Sequence, residues 1–296
     1  MKHLYFLLTI LIITSCSGQK KAAQINSKTN DVIQKDIITS VDSLKKVETI
    51  KTEEKTSVAT KIDSVKNMVR TETPEIKHDT NSKTFNHKIW NDLLQKHVSK
   101  EGNVNYKAFK TNRKSLTAYI TLLSQKLPDE NWTKEDKLAY WINAYNAMTV
   151  DLILRNYPIK SIKDIKNPWK QRVWKLGDKW YNLEDIEHQI LRKMNEPRIH
   201  FAIVCASYSC PKLLNKAFTA SNLELQLTNA TKNFLADSKR NNITTNHLKL
   251  SKIFQWFSKD FKQDGSLIDF LNKYSEIKIS NKAKTSFNDY NWSLNE

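Results

Sequence analysis

One stretch limits what this chain can fold into more than any other. "WTKEDKLAYWINAYNAMTVDLILRNYP" reads as a single long helix. Thr133 is placed to cap it, with Asp136 at the third position of an approximate capping box, and Pro158 stops it after about Asn156. Leu138, Trp141, Ile142, Tyr145, Met148, Leu152 and Ile153 share one face. Ala139, Ala144, Ala147, Val150 and Leu154 fill much of the other. A helix that is apolar nearly all round must be wrapped by the rest of its domain. Asn143 and Asn146 then fall inside, or nearly so. An unpartnered buried amide costs on the order of 1–3 kcal/mol. Each therefore needs neighbouring backbone or a ligand, and backbone is the simpler partner.

The wrapping has to come from within roughly Phe85 to Glu296. All eight tryptophans lie between Trp90 and Trp292, and residues 17–83 hold no Trp, Tyr or Phe. That earlier segment is rich in Lys, Thr, Ser, Asp and Glu and cannot bury enough apolar surface to offset its chain entropy. It reads as a disordered tether. The rival is a coiled-coil stalk, since Val32, Ile33, Ile37, Ile38, Val41 and Leu44 have roughly helical spacing. Ahead of it, the apolar run from Leu4 to Ile13 is too short to span a bilayer and suits the core of a secretory signal. The expected organisation is a signal over residues 1–15, a cysteine-headed tether over 16–83 and one globular domain over 84–296.

Of the chain's 48 basic and 31 acidic residues, the tether takes 13 and 10 and the signal one lysine. The domain keeps 34 and 21, a net +13. Such a charge draws a domain toward polyanions or simply keeps it soluble. No groove-reading or stacking motif for nucleic acid is present.

Within the domain, helices are expected at "HKIWNDLLQKHV", "RKSLTAYITLLSQKL", "LEDIEHQILRKM", "PKLLNKAF", "SNLELQLTNATKNFLAD", "LSKIFQWFSKDF" and "SLIDFLNKY". Gly177-Asp178 joins "RVWKL" to "KWYN" as a hairpin. "NNITTN" and "HLKLS" form a second strand pair, and "RIHFAIV" reads as a strand. The fold class is α+β: a mostly helical single domain with a buried central helix and a small, largely antiparallel sheet.

Candidate chemistry centres on "RIHFAIVCASYSCPKLL", where Cys205 and Cys210 are the internal cysteines. On a regular strand His200 and Cys205 face opposite ways. Cys210 precedes Pro211, the expected first residue of a helix, and a thiol at a helix N-terminus is acidified. Cys210 is thus the candidate nucleophile and His200 the base, with Glu187, Asn143 or Asn146 as the orienting group. An exported chain also allows a Cys205–Cys210 disulfide, and two inert buried thiols are the third reading. Nothing in the spacing points to a metal site, and no cofactor is expected.

Two resemblances add to this. Ile13-Thr14-Ser15-Cys16 resembles the lipobox of bacterial lipoproteins. It implies cleavage before Cys16, lipid on its sulfur and amino terminus, and a cell-envelope location facing the periplasm, since Ser17 and no acidic run follows. The ordered motifs "YWINAYNAMTV", "NLEDIEHQILR", "PRIHFAIVCASYSCPKL", "FQWFSKDF" and "DYNWSLN" resemble the family called domain of unknown function 547, over roughly Phe85 to Glu296. That family has no established activity to carry over. Its fold is similar to the papain- and transglutaminase-like class, which implies a cysteine at the start of the central helix and a histidine on a following strand. Here Asn143 and Asn146 stand where the cysteine is wanted, with His200 on the strand. The expectation is a monomeric, lipid-anchored binding module whose pocket, lined by Asn143, Tyr145, Asn146 and His200, takes an anionic envelope glycan or peptide. The alternative is a cysteine-dependent hydrolase or acyl transferase using Cys210 and His200.

Overall fold

The computed structural model describes residues 85–296. The expected signal, the expected lipidation at Cys16 and the expected tether, with its rival stalk, fall outside the described residues.

The long helix is there, and central. Helix α1 (Lys88–His97) turns Trp90, Leu93, Leu94 and His97 inward. A short α2 (Tyr106–Phe109) is capped by the Asn105 side chain, which accepts from the Ala108 amide. Helix α3 (Arg113–Gln125) buries Leu116, Tyr119 and Leu123. Helix α4 (Lys134–Asn156) starts at Thr133, whose hydroxyl accepts from the Asp136 amide, and buries every side chain from Leu138 to Leu154. Each large apolar side chain gains about 1.5–3 kcal/mol on full burial, so only the centre of the domain suits this helix.

Strands β1 (Trp174–Leu176) and β2 (Lys179–Tyr181) form the expected antiparallel hairpin. Gly177 takes the left-handed conformation its turn requires (φ 55°). Helix α5 (Leu223–Ala236) follows, then β3 (Asn242–Ile243), β4 (His247–Leu250), α6 (Ile253–Trp256), α7 (Leu267–Tyr274) and β5 (Lys284–Phe287). The sheet order is β3-β4-β5, with β3 antiparallel and β5 parallel to β4. Two apolar clusters result. The larger surrounds α4, and the smaller joins Phe201 to Phe234, Phe254, Phe261 and Phe270. This is a mostly helical α+β domain, as the patterning predicts. Among the described residues no helix is long and apolar enough to cross a membrane.

Two local expectations are corrected. "RIHFAIV" is not a strand: Pro197–Phe201 is a 3-10 turn, with irregular chain after it. A strand needs a ladder partner, and here the neighbour is α4. Asn146 supplies the bonds instead, donating to the Ala202 carbonyl (2.9 Å) and accepting from the Val204 amide (2.9 Å). Alternation then fails, and both His200 and Phe201 are buried. "PKLLNKAF" is not a helix either. Asn143 holds the Phe218 carbonyl and amide (2.8 and 3.0 Å), Asn91 accepts from the Ala217 amide, and Gln226 donates to the Ala217 carbonyl. Side chains take the backbone bonds that a helix would have used internally.

Candidate functional site

Six segments line one cavity of about 670 Å³, among them residues 163–170 and 253–257 at its mouth. Helix α4 contributes Tyr145. A wide π-helical turn, Asp185–Ile190, begins after Asn182, whose side chain accepts from the Asp185 amide (2.7 Å), and contributes Glu187 and His188. Such turns are rare and often sit at functional sites. The irregular segment after Phe201 contributes Ile203, Val204, Cys205 and Cys210. The C-terminal segment contributes Tyr290 and Trp292. It is laced to the cysteine loop by backbone bonds from Tyr208 to Ser293, Ser209 to Asn291 and Asn295 to Ala206. The cavity draws lining from both apolar clusters, including Val204 from the larger and Ile253 from the smaller.

The two thiols touch. Their sulfurs are 3.0 Å apart, and the Cys205 amide donates to the Cys210 sulfur (2.9 Å). Cys205 is partly exposed and Cys210 is buried, both as free thiols. Around Cys205 Sγ stand Ser207 Oγ at 3.1 Å and Tyr290 Oη at 3.3 Å. The Cys210 thiol, the Ser207 backbone amide and the Tyr290 hydroxyl, which itself accepts from Ser207 Oγ (2.9 Å), donate toward Cys205, and this brings its pKa down to about 7 against the effect of burial. Cys210 moves the other way, held protonated by burial and by its neighbour. This reverses the sequence expectation. Cys210 heads no helix and gains no dipole, so the acidic thiol is Cys205. Ala206 sits in the left-handed region (φ 58°), which costs a non-glycine residue about 1–2 kcal/mol. That turn, immediately after Cys205, folds the loop back so that the two sulfurs meet.

Behind the thiols lies a buried acid. Glu187 accepts from the Tyr145 hydroxyl (3.0 Å), and burial lifts its pKa to about 7 despite that bond. His200 is not paired with either cysteine. Its Nε2 meets Asp260 at 2.8 Å, and its ring stacks on Phe257 at 4.0 Å. Arg192 holds the same Asp260 carboxylate with two bonds (2.6 and 2.7 Å) and contacts His188 Nδ1 at 3.1 Å. Burial lowers the pKa of His200, and Asp260 is held well below the usual carboxylate range by Arg192 and His200.

The mouth has its own character. Trp256 is 46% exposed and stacks on Trp292 at 5.8 Å, while Tyr290 lies 4.5 Å from Trp292 and Trp169 meets it edge-on. Lys163 lies over the Trp292 ring at 5.1 Å, and Lys166 and Lys170 line the same side, all three exposed. The opening is thus an aromatic wall with a basic rim. Among the described residues no group of three or more His, Cys, Asp or Glu side chains is placed to hold a metal ion.

Of the predicted site residues, the cavity brings together Cys205, Cys210, Glu187, Tyr145 and His200. It does not include Asn143 or Asn146. Both are at most 1% exposed and spend their amides on the backbone clamps described above, so their ligand-binding role is withdrawn. The sequence reading missed Ser207, Asp260, Trp256, Tyr290 and Trp292. The last four lie in "FQWFSKDF" and "DYNWSLN", where clustered aromatics and a conspicuous Asp were the available signal.

The fold and site together define a helical α+β domain with a thiol-bearing cavity, and comparison with known proteins supplies one relation. Residues 130–235 match the family described as "Protein of unknown function, DUF547". The match takes in the first three motifs and stops short of the last two. No curated protein matches the chain, and no solved structure matches it. The likeness to papain- and transglutaminase-like folds therefore stays an expectation.

Proposed function

We propose that residues 85–296 form a ligand-binding module of the cell envelope. Lipid on Cys16 holds it at the membrane, and the tether lets it reach from the periplasmic face. The ligand is a small anionic envelope glycan or peptide fragment seated in the cavity. The observation that supports this best is the pairing of an aromatic wall with three exposed lysines at the mouth of a cavity of about 670 Å³. That is a ligand-sized, mainly apolar site with a few charged groups to orient the guest. Aromatic faces suit sugar rings and planar groups, and the lysines suit carboxylates.

Titration with soluble cell-wall glycan fragments and short acidic peptides, read by tryptophan fluorescence, tests the reading. Saturable quenching is expected, weakened at least tenfold by Trp256→Ala and by Lys166→Glu. No saturable change with any of these ligands, or equal binding by both variants, would sink it.

The hydrolase or acyl-transferase reading receives less support. Such enzymes activate the nucleophile with a hydrogen-bonded base, and the thiol partners here are Cys210, Ser207 and Tyr290. Cys210 as nucleophile with His200 as base has no geometric support, because His200 Nε2 is committed to Asp260.

A further inference from the structure

The thiol pair has a use that ligand binding does not require. Both cysteines line the cavity, Cys205 partly exposed and Cys210 buried, and their sulfurs are 3.0 Å apart. A disulfide bond needs about 2.05 Å, so closure asks for an approach of only about 1 Å. We propose that Cys205 and Cys210 form a dithiol–disulfide exchange site, with Cys205 as attacking thiol, Cys210 as resolving thiol and the disulfide of a small anionic thiol as substrate.

The exchange is balanced as written. The Cys205 thiolate attacks one sulfur of the substrate R–S–S–R. That bond breaks, a Cys205–S–S–R bond forms, and the first RS⁻ leaves to take up a proton. Cys210 then gives up its proton and attacks Cys205 Sγ. The mixed disulfide breaks, the Cys205–Cys210 bond forms, and the second RS⁻ leaves as RSH. Two electrons pass from the protein dithiol to the substrate, and the two thiol protons end on the two released thiols. Small thiols in excess run the steps backward.

Three observations fix the roles. Both cysteines line the cavity, and Cys205 is the more exposed of the two residues, which favours it as the first to meet a substrate. Its sulfur faces the Cys210 thiol and the Tyr290 hydroxyl, which is backed by Ser207 Oγ donating to Tyr290 Oη, and these donors stabilise a thiolate without a base. Tyr290 remains protonated, because burial and the adjacent thiols push its pKa far up. A thiol titrating near ambient pH is the best attacker, since lower values cost nucleophilicity, and Cys205 titrates at about 7. The substrate is small and anionic because the entrance is a cavity rimmed by Lys163, Lys166 and Lys170. In that respect the inference rests on the same open cavity as the binding reading.

The test uses the full chain with Cys16→Ser throughout, so that Cys205 and Cys210 are its only thiols. Reduced protein is incubated with oxidised glutathione, quenched with acid, alkylated and mapped by mass. The parent chain should form the internal disulfide with little accumulated adduct. Cys210→Ser should instead trap one glutathione on Cys205, and Cys205→Ser should stay unmodified over the same time. The internal bond should reopen in a glutathione redox buffer. Lys166→Glu should slow oxidised glutathione several-fold more than it slows neutral hydroxyethyl disulfide, and equal slowing of the two would overturn the anionic-substrate assignment. An unmodified Cys210→Ser chain, or a parent pair that neither closes nor reopens, overturns the proposal. If exchange fails while the glycan or peptide titration still saturates, the binding reading stands alone. If hydroxyethyl disulfide exchanges but no anionic ligand binds, the exchange site stands and the binding reading falls. A pair that oxidises only with protein disulfides overturns the small-substrate assignment.

Discussion

Asn146 is the side chain on which the cavity wall most depends, and Asn146→Ala has a calculable effect. Its amide donates to the Ala202 carbonyl and accepts from the Val204 amide, both at 2.9 Å. Ala202, Val204 and Asn146 are each no more than 2% exposed. Truncation leaves a buried donor and a buried acceptor without partners. At about 2 kcal/mol apiece the cost is about 4 kcal/mol, a large part of the 5–15 kcal/mol typical of a domain. Urea unfolding of the chain, followed by tryptophan fluorescence, reads this directly. With a slope near 2 kcal/mol/M the midpoint should fall by about 2 M. Asn156→Ala is the control. Its amide bonds only the Leu152 carbonyl in the same helix, at a partly buried position where water substitutes, so its midpoint should move by less than about 0.5 M. A shift for Asn146→Ala no larger than the control's would refute the clamp. It would also remove the account of why the segment before Cys205 is not a strand.

Two further outcomes follow from buried charge. Glu187 has its pKa raised from 4.5 to about 7 by burial, with the Tyr145 hydroxyl and Arg192 opposing and Cys205 and Asp260 adding to the rise. The folded state therefore holds this proton after the unfolded state has lost it. The contribution is fully present below pH 4.5 and disappears as pH climbs through 7, a fall of up to about 3 kcal/mol; Glu187→Gln should flatten that slope between pH 5 and 8 in urea titrations, and parallel profiles for the two chains would count against a buried neutral acid. Asp151, 1% exposed, accepts from the Trp174 indole (2.8 Å) and pairs with Arg155 (2.6 Å). Both arginines near it are about two-fifths exposed and can rehydrate, so Asp151→Ala should cost about 2 kcal/mol, chiefly the stranded indole N–H. A melting-temperature drop of about 6 °C is expected, and no drop would refute it.

The central helix was legible in detail because its signals are local. A Thr133 cap, an acidic first turn, a proline stop and an apolar surface on every side need no knowledge of the rest of the chain. The Gly177-Asp178 hairpin was legible for the same reason. Strand β5 was not, since "KTSF" lacks alternation and exists as a strand only because β4 offers it a parallel partner. The site was half legible. Cys205, Cys210, Glu187, Tyr145 and His200 share the cavity, but their roles were assigned from a strand and a helix that do not form.

The amino-acid order by itself determined the class of fold. It set one aromatic-rich basic domain after an aromatic-free segment, built on a helix that must be buried, with two amides that must find partners. Tertiary structure decided what those amides hold, which cysteine is acidic and what faces it. The reason is distance along the chain. Tyr290 lies 85 residues from Cys205 and Asp260 lies 60 from His200, yet each is within hydrogen-bond reach. A thiol's charge and a histidine's partner are set by whatever packing brings within about 3 Å, and no local pattern encodes that.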